Sequence, residues 1–328
     1  MDKHILQESP STNPVKTAFT PPRTPTAIAT SAHTLLAEIQ SIFTTISSLQ
    51  SLGPGPQINA LLTRLVNLCI APYNSDFESY FLSIISIAGV CSNLRLLCAA
   101  AESELESHWA SRIIASAQNQ NFESDAHGGG GEARKSLLDA FPYHQNYIDL
   151  SLLECNIVNS FLLSSQAPRN ITFIGSGPLP LSSLCMLDCF PDAVVWNIDR
   201  DAAALQKSGE LSDALGYAGM RFVCADVADK VADVDDPNVA WMQSEVVFLA
   251  ALVGSDTSSK ITILSSLVGR LRPGTLVVAR SARGLRSVLY PVLELGEEIE
   301  RFGLEVLVEV HPWTKVVNSV VVMRVKER

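Results

Sequence analysis

Gly175-Ser176-Gly177 follows four β-type residues, Ile171-Thr172-Phe173-Ile174, and precedes helix-compatible sequence from Leu181 to Cys189. A strand, a tight glycine turn and a helix together make a cradle for a nucleotide. The first glycine permits the turn. The second lets a ligand approach the backbone with no Cβ in the way, and the helix start offers unpaired N–H groups. Pro178 belongs to the same turn. Pro180 stands where the dinucleotide fingerprint G-x-G-x-x-G needs its third glycine, which argues against NAD and for another adenosine ligand. Asp199 closes Val-Trp-Asn-Ile-Asp and can accept both ribose hydroxyls. The competing reading is a helix N-cap, a role for which Asp201 is the rival. Asp226 closes Phe-Val-Cys-Ala-Asp and can accept from an adenine amino group, with Val227 packed on the ring. Glu102 and Glu106 stand four residues apart and share one face of a predicted helix. On residue type alone, such a pair is most often solvated surface.

These residues need elements to hold them. From Asn170 onward the sequence alternates strand and helix, with strands expected at 170–174, 194–198, 221–225, 245–250, 275–280, 304–310 and 316–324. Helices are expected at 180–189, 201–215, 258–271 and 285–301. Short connections in such an alternation predict an α/β fold with a parallel, doubly wound, Rossmann-like sheet. His311 to Lys315 is too short a link for a parallel crossover, so the final strand must run antiparallel. Seven strands ending in an antiparallel hairpin resemble the layout of S-adenosylmethionine-dependent transferases, which moves the expected ligand from NAD to S-adenosylmethionine. Ligands on such sheets sit beyond the carboxyl ends of the strands, so Ala250 and Val253 should face the sulfonium.

The preceding stretch reads as all-helical. Helices are expected at 31–52, 58–70 and 77–116, the last broken near Gly89 or Ser92-Asn93, and from Glu132 to about Ser164 with an interruption at Phe141-Pro142. The expected organisation is a Ser/Thr/Pro-rich tail over 1–30, a helical lid and substrate domain over 31–166, and the S-adenosylmethionine-binding domain over 167–328.

A hydrophobic content of 47% is ample for a core, and a net charge of −10 argues against a nucleic-acid or anionic-membrane surface. The apolar run Leu82 to Val90 is short and carries two serines, which suits a buried helix better than a membrane span. The start has neither a signal-type apolar region nor an Arg-rich amphipathic pattern. Seven cysteines contain no C-x-x-C pair, which predicts free thiols in a reducing, cytoplasmic setting. Six scattered histidines lack zinc-ligand spacing, so no protein-bound metal is expected. The oligomeric state is left open between monomer and homodimer.

Further motifs give a more specific resemblance, to the nicotianamine synthase family of eukaryotic type. It is carried by Phe-Ile-Gly-Ser-Gly-Pro-Leu-Pro-Leu (173–181), Val-Val-Phe-Leu-Ala-Ala-Leu-Val-Gly (246–254) and Arg-Ser-Ala-Arg-Gly (280–284) with Leu289-Tyr290-Pro291. His311-Pro312 with Val317-Asn318-Ser319-Val320, Ala-Glu-Ser-Glu-Leu-Glu-Ser-His (101–108) and Phe-Pro-Tyr-His-Gln-Asn-Tyr (141–147) add to it. Arg283 stands where many members carry His, and the stretches 128–131 and 229–238 look like insertions.

The resemblance implies transfer of the 3-amino-3-carboxypropyl arm of S-adenosylmethionine, with 5′-methylthioadenosine leaving. Repeated transfer and ring closure would give nicotianamine, a chelator that carries transition metals. The metals would belong to the product and to metal homeostasis. An α-amine nucleophile has a pKa around 8 and needs a base. By resemblance that base is Glu106, with Glu102 beside it. Tyr143 and Tyr147 are candidates to hydrogen-bond the substrate amine or carboxylate, and Asn146 to orient the same group. Arg280 or Arg283 could hold a substrate carboxylate in a forked pair, and Asn318 could line the site. The alternatives are an ordinary methyltransferase with a helical lid and a non-catalytic S-adenosylmethionine-binding or metal-handling protein.

Overall fold

A computed structural model describes residues 27–118, 129–163, 166–229 and 237–327. Most of the expected tail, 1–26, lies outside the described residues, as do the middle of the 118–132 loop and most of the stretch 229–238.

The first half is helical: α1 (Ala27–Ser47), α2 (Pro56–Ile70), α3 (Ser75–Ala88), α4 (Val90–Gln118), α5 (Gly129–Asp139) and α6 (His144–Phe161). Helix α1 begins inside the stretch expected as tail. Asn74 starts α3 by accepting from the Phe77 amide at 2.8 Å. Gly89 ends it in the left-handed region, with φ +64°, and its amide closes on Ser86. The break in the long apolar stretch therefore falls at Gly89 and not at Ser92-Asn93. No single described helix is long and apolar enough to cross a membrane, and α3 and α4, apolar enough as a pair, meet at 90°.

From Asn170 the chain builds β1 (Asn170–Ile174), α7 (Leu181–Cys189), β2 (Val194–Asp199), α8 (Ala202–Ala214), β3 (Met220–Cys224) and β4 (Val246–Leu249). It continues through α9 (Thr257–Val268), β5 (Leu276–Ser281), α10 (Glu297–Arg301), β6 (Leu304–Val310) and β7 (Ser319–Val325). The sheet order is β3-β2-β1-β4-β5-β7-β6. Strands β1 to β5 are parallel, and β7 runs antiparallel between β5 and β6, as the short link at 311–315 requires.

The helix expected over 285–301 does not form. Pro291 has no amide hydrogen and its ring collides with the preceding turn. The segment instead makes a 3-10 turn, Gly284–Val288, and only the five-residue α10. The break leaves Tyr290 free to turn toward the helical half.

Among the described residues, three apolar cores hold the parts together. Ile113, Leu150 and Val158 of the helices pack on Phe173, Phe248, Val278 and Val322 of one sheet face. Leu264 and Leu267 of α9 cover Ile174, Ile198, Val247 and Leu249 on the other. Ile39, Leu65, Phe81 and Leu94 form a core among α1 to α4 that also takes in Leu285 and Val288 from the 3-10 turn. The helical half is thus docked on the sheet by apolar burial. Helix α4 passes between the two, with Leu94, Cys98, Ala101, Ala110 and Ile113 buried along it.

Candidate active site

The glycine turn sits where β1 ends, and both glycines are needed. Gly175 has φ +79°, and a Cβ on it would lie 2.3 Å from Val253 Cγ2 and 3.2 Å from Ala250 Cβ. The turn is thus seated against the segment after β4. Gly177 has φ +64°, and a Cβ there would lie 2.8 Å from Glu106 Oε2. Gly177 also donates its amide to Asp199 Oδ2 at 2.9 Å, while Asp199 Oδ1 accepts from the Asp201 amide at 3.0 Å. Each carboxylate oxygen of Asp199 keeps a further lone pair for a ligand hydroxyl. The rivalry over the N-cap is resolved: Asp201 caps α8, accepting from Ala203 and Ala204. Pro180 takes the N-cap place of α7, and Leu181 behind it is fully buried.

Across from this turn, α4 presents Glu106 and, one turn earlier, Glu102. Tyr147 of α6 donates to Glu106 Oε1 at 2.9 Å, and Tyr290 donates to Glu102 Oε1 at 2.5 Å. Both glutamates lie between the helical half and the sheet with part of their surface still open. Desolvation there disfavours the charged form. Glu106 is pushed up to about 8, by burial first and then by the charges of Glu102 and Asp199, against the pull of Tyr147 and Arg280. Glu102 is pushed up to about 7 by burial, with Tyr290 pulling the other way. Burial and the adjacent carboxylates hold both phenols well above their ordinary range, so Tyr147 and Tyr290 stay protonated donors. Two carboxyl groups held up toward neutrality, with Glu106 against the glycine turn, make an arrangement that can accept a proton.

The family model described as "Nicotianamine synthase protein" matches residues 29–328. The chain belongs to the nicotianamine synthase family. Nicotianamine synthase 9 of Hordeum vulgare is 37% identical over 293 residues, covering 88% of this chain and 78% of its own. The nicotianamine synthase of Solanum lycopersicum is 35% identical over 303 residues, covering 90% and 85%. Among solved structures, MtNAS in complex with MTA and tNA matches with a TM-score of 0.67 at 18% identity, covering 89% of this chain and 98% of that one. A variant of MtNAS in complex with S-adenosylmethionine matches with a TM-score of 0.66. At that identity the likeness concerns the fold, a seven-stranded sheet beneath a helical half.

In this nicotianamine synthase family member, the expected site residues separate into those that converge and those that do not. Gly175, Gly177, Asp199, Ala250, Val253, Glu106 and Tyr147 are linked by the contacts above. Ser176 and Pro178 are buried in the turn, and the Ser176 hydroxyl has no protein partner. Asn318 is likewise buried with its amide nitrogen unpartnered, which suits a ligand-facing donor. Asp226 is exposed and its carboxylate accepts the Ala228 amide at 2.9 Å. Val227 is buried in the core beneath α9, and its carbonyl accepts from Arg270.

Tyr143 stays apart from the glutamates. It is 39% exposed and leans its ring on Phe141 at 5.7 Å. Asn146 is half-buried, one residue before Tyr147, and Arg283 is exposed. Arg283 lies at the corner where burial and Arg286, with Arg283 behind them, hold His311 down to about 4. Arg280 is buried, but its fork is already taken. Glu154 of α6 accepts from Nε at 2.8 Å and from Nη2 at 2.9 Å, and Ser182 accepts from Nη2 at 2.8 Å. Its reach for a substrate carboxylate, expected from the sequence, is thereby corrected to a buried internal ion pair.

Tyr290, Glu154 and Lys260 received no role from the sequence. Tyr290 carried a signal in the Leu289-Tyr290-Pro291 motif; the other two carried none. Lys260 of α9 is fully buried and donates to the Val253 carbonyl at 2.9 Å and the Ala250 carbonyl at 3.4 Å. Desolvation lowers it to about 7. Its ammonium thus fastens the segment on which the glycine turn rests. Lys260→Met leaves those carbonyls unpaired and is expected to weaken S-adenosylmethionine binding about tenfold. Isothermal titration checks this, and unchanged affinity would detach Lys260 from the site.

A groove of about 780 Å³ runs along the other flank of α4, beside Ser107, His108 and Lys207. It lies outside the cluster around Glu106. Among the described residues, no group of three or more His, Cys, Asp or Glu is placed to hold a metal ion.

Proposed function

We propose that this chain is a nicotianamine synthase that builds its product by successive transfers of the aminocarboxypropyl arm from three S-adenosylmethionine molecules, with closure of an azetidine ring. The observation that carries the mechanism is the seating of Glu106. Tyr147 orients it, and its second oxygen faces the glycine turn. S-adenosylmethionine would lie across that turn, with its ribose hydroxyls on Asp199 and its sulfonium toward Ala250 and Val253. An α-amine of the acceptor attacks the methylene carbon beside sulfur. The N–C bond forms, the C–S bond breaks with its electron pair going to sulfur, and neutral methylthioadenosine leaves. The proton released by the amine passes to Glu106. A base near 8 is matched to an amine of ordinary pKa about 8, which favours the transfer. Tyr147 keeps the receiving oxygen in place. The fixed turn and the fixed carboxylate bring nucleophile and leaving group into line.

Free thiols support a reducing, cytoplasmic setting for this reaction: all seven cysteines are unpaired and four are buried. The reading gives the metal to the product, for metal homeostasis, and none to the protein.

Isotopic label tests the bond that breaks. Label in the carboxypropyl carbons of S-adenosylmethionine is expected in the amino-acid product, and label in the S-methyl group in methylthioadenosine. Methyl label in the product would instead mean a methyltransferase. The pH profile tests the base. The rate of transfer is expected to rise with pH as Glu102 and Glu106 ionise, through about 7 to about 8, and then to level. A flat profile across that window would remove Glu106 as the proton acceptor.

A further inference from the structure

Removing one proton from one amine needs one base, yet the site holds two glutamates, each with its own phenol. Glu106 is paired with Tyr147 of α6, and Glu102 with Tyr290 from the segment after β5. The two pairs are not equivalent. Glu106 alone abuts the glycine turn, 2.8 Å from the place of a Gly177 Cβ. The charge of Asp199 bears on Glu106, whereas Glu102 responds to burial and Tyr290. The reacting centre is therefore beside Glu106. Glu102 lies four residues earlier on α4, about 6 Å along the helix axis at 1.5 Å per residue.

That spacing has a counterpart in the acceptor. Each transfer places three carbons between the nitrogen that attacked and the next amine. In an extended chain this separation is about 5 Å, by ordinary single-bond lengths and angles. The rise between the two helix positions is thus comparable with one repeat of the growing product.

We propose that Glu102 and Tyr290 form a subsite for the acceptor amine that lies one aminocarboxypropyl unit from the reacting nitrogen, and that this pair sets how many units the product carries. The inference rests on the reading of the chain as a nicotianamine synthase. Tyr290 occupies Oε1 of Glu102 and leaves Oε2 for an ammonium group. Burial holds Glu102 up at about 7. A bound ammonium draws it to the carboxylate, so the acceptor is held by a charge-assisted hydrogen bond between the two halves of the molecule. Tyr290 is well placed for a fixed contact. Leu289 before it is buried among the helices, and Pro291 after it stiffens the chain. An acceptor without the second amine leaves this pair unfilled and is free to depart. One that has it is retained for the next transfer.

The test compares the parent with Glu102→Gln and Tyr290→Phe, each incubated with S-adenosylmethionine. Liquid chromatography with mass detection follows methylthioadenosine, nicotianamine and the intermediate one unit shorter. In both variants the ratio of shorter intermediate to nicotianamine is expected to rise about tenfold, as loss of one charge-assisted hydrogen bond implies. Should methylthioadenosine and nicotianamine fall in equal proportion with no build-up of intermediate, the pair does not measure the acceptor and the proposal is overturned. Tyr290→Phe loses only a hydroxyl, so it decides the matter if Glu102→Gln does not fold. Failure of the underlying reading looks different: the parent itself then makes no nicotianamine, and the subsite falls with it.

Discussion

Glu106→Gln is expected to lower aminocarboxypropyl transfer by roughly 10²–10⁴-fold, the usual contribution of a positioned base. S-adenosylmethionine binding should persist, because Asp199, the glycine turn and the segment at Ala250 to Val253 are untouched. The same substitution is expected to stabilise the fold, and the pH dependence fixes the sign. Glu106 titrates near 8 in the folded chain and near 4.5 as a free side chain. Between those values the folded state holds a proton that the unfolded state has released. Folding therefore becomes less favourable as pH rises through that window. Glutamine removes this titration. The variant should melt above the parent at the alkaline end, with the gap closing in acid. Thermal melts at both ends, run beside activity assays, separate the outcomes. Melting curves that coincide at both ends, or full activity, would place Glu106 in ordinary solvent and outside the chemistry. A site that costs stability in the resting protein is expected where a charge must be ready for a substrate.

The second large effect concerns the ion pair beneath the site. Arg280 at 6% exposure and Glu154 at 0% are joined by two hydrogen bonds, with Ser182 completing the set. The guanidinium also lies 5.1 Å over the Phe173 ring. Glu154→Gln strips the charge from one partner and leaves the other buried, which is expected to destabilise by about 3–5 kcal/mol. Replacing both, as Arg280→Met with Glu154→Leu, removes the stranded charge and should recover much of that loss. Chemical denaturation of the two variants checks the order. A single Glu154→Gln loss below about 1 kcal/mol would mean that the pair is solvated and weak. The pair ties α6, which carries Tyr147, to β5. Glu154→Gln should therefore also loosen the hold of Tyr147 on Glu106.

The alternating strands, the antiparallel last strand and the glycine turn were legible because each rests on local signals. Alternating apolar strands, a link at 311–315 too short for a crossover, and two glycines at positive φ need no knowledge of distant contacts. Glu106 and Glu102 were legible as a pair on one helix face, but four-residue spacing cannot tell a solvated face from one closed over by a sheet. Only the docking of α4 decides it. Arg280 shows the converse. Its place at the end of β5 was plain, yet its partner Glu154 lies 126 residues away in the chain and left no local trace. Tyr290 was hidden by an expected helix over 285–301. Pro291 should have ended that helix, and the break is what frees the phenol to reach Glu102. Tyr143 and Tyr147 looked alike in sequence. A helix start separates them: Tyr143 is the exposed residue before α6, and Tyr147 faces inward one turn later.

The most direct test of the whole account is mass spectrometry of the purified protein incubated with S-adenosylmethionine as its sole substrate. Methylthioadenosine and nicotianamine are expected in a ratio of about three to one, because three C–S bonds break per product, two in transfer and one in ring closure. S-adenosylhomocysteine in place of methylthioadenosine would contradict it, because the methyl group would then be what moves and Glu106 would have no amine proton to take.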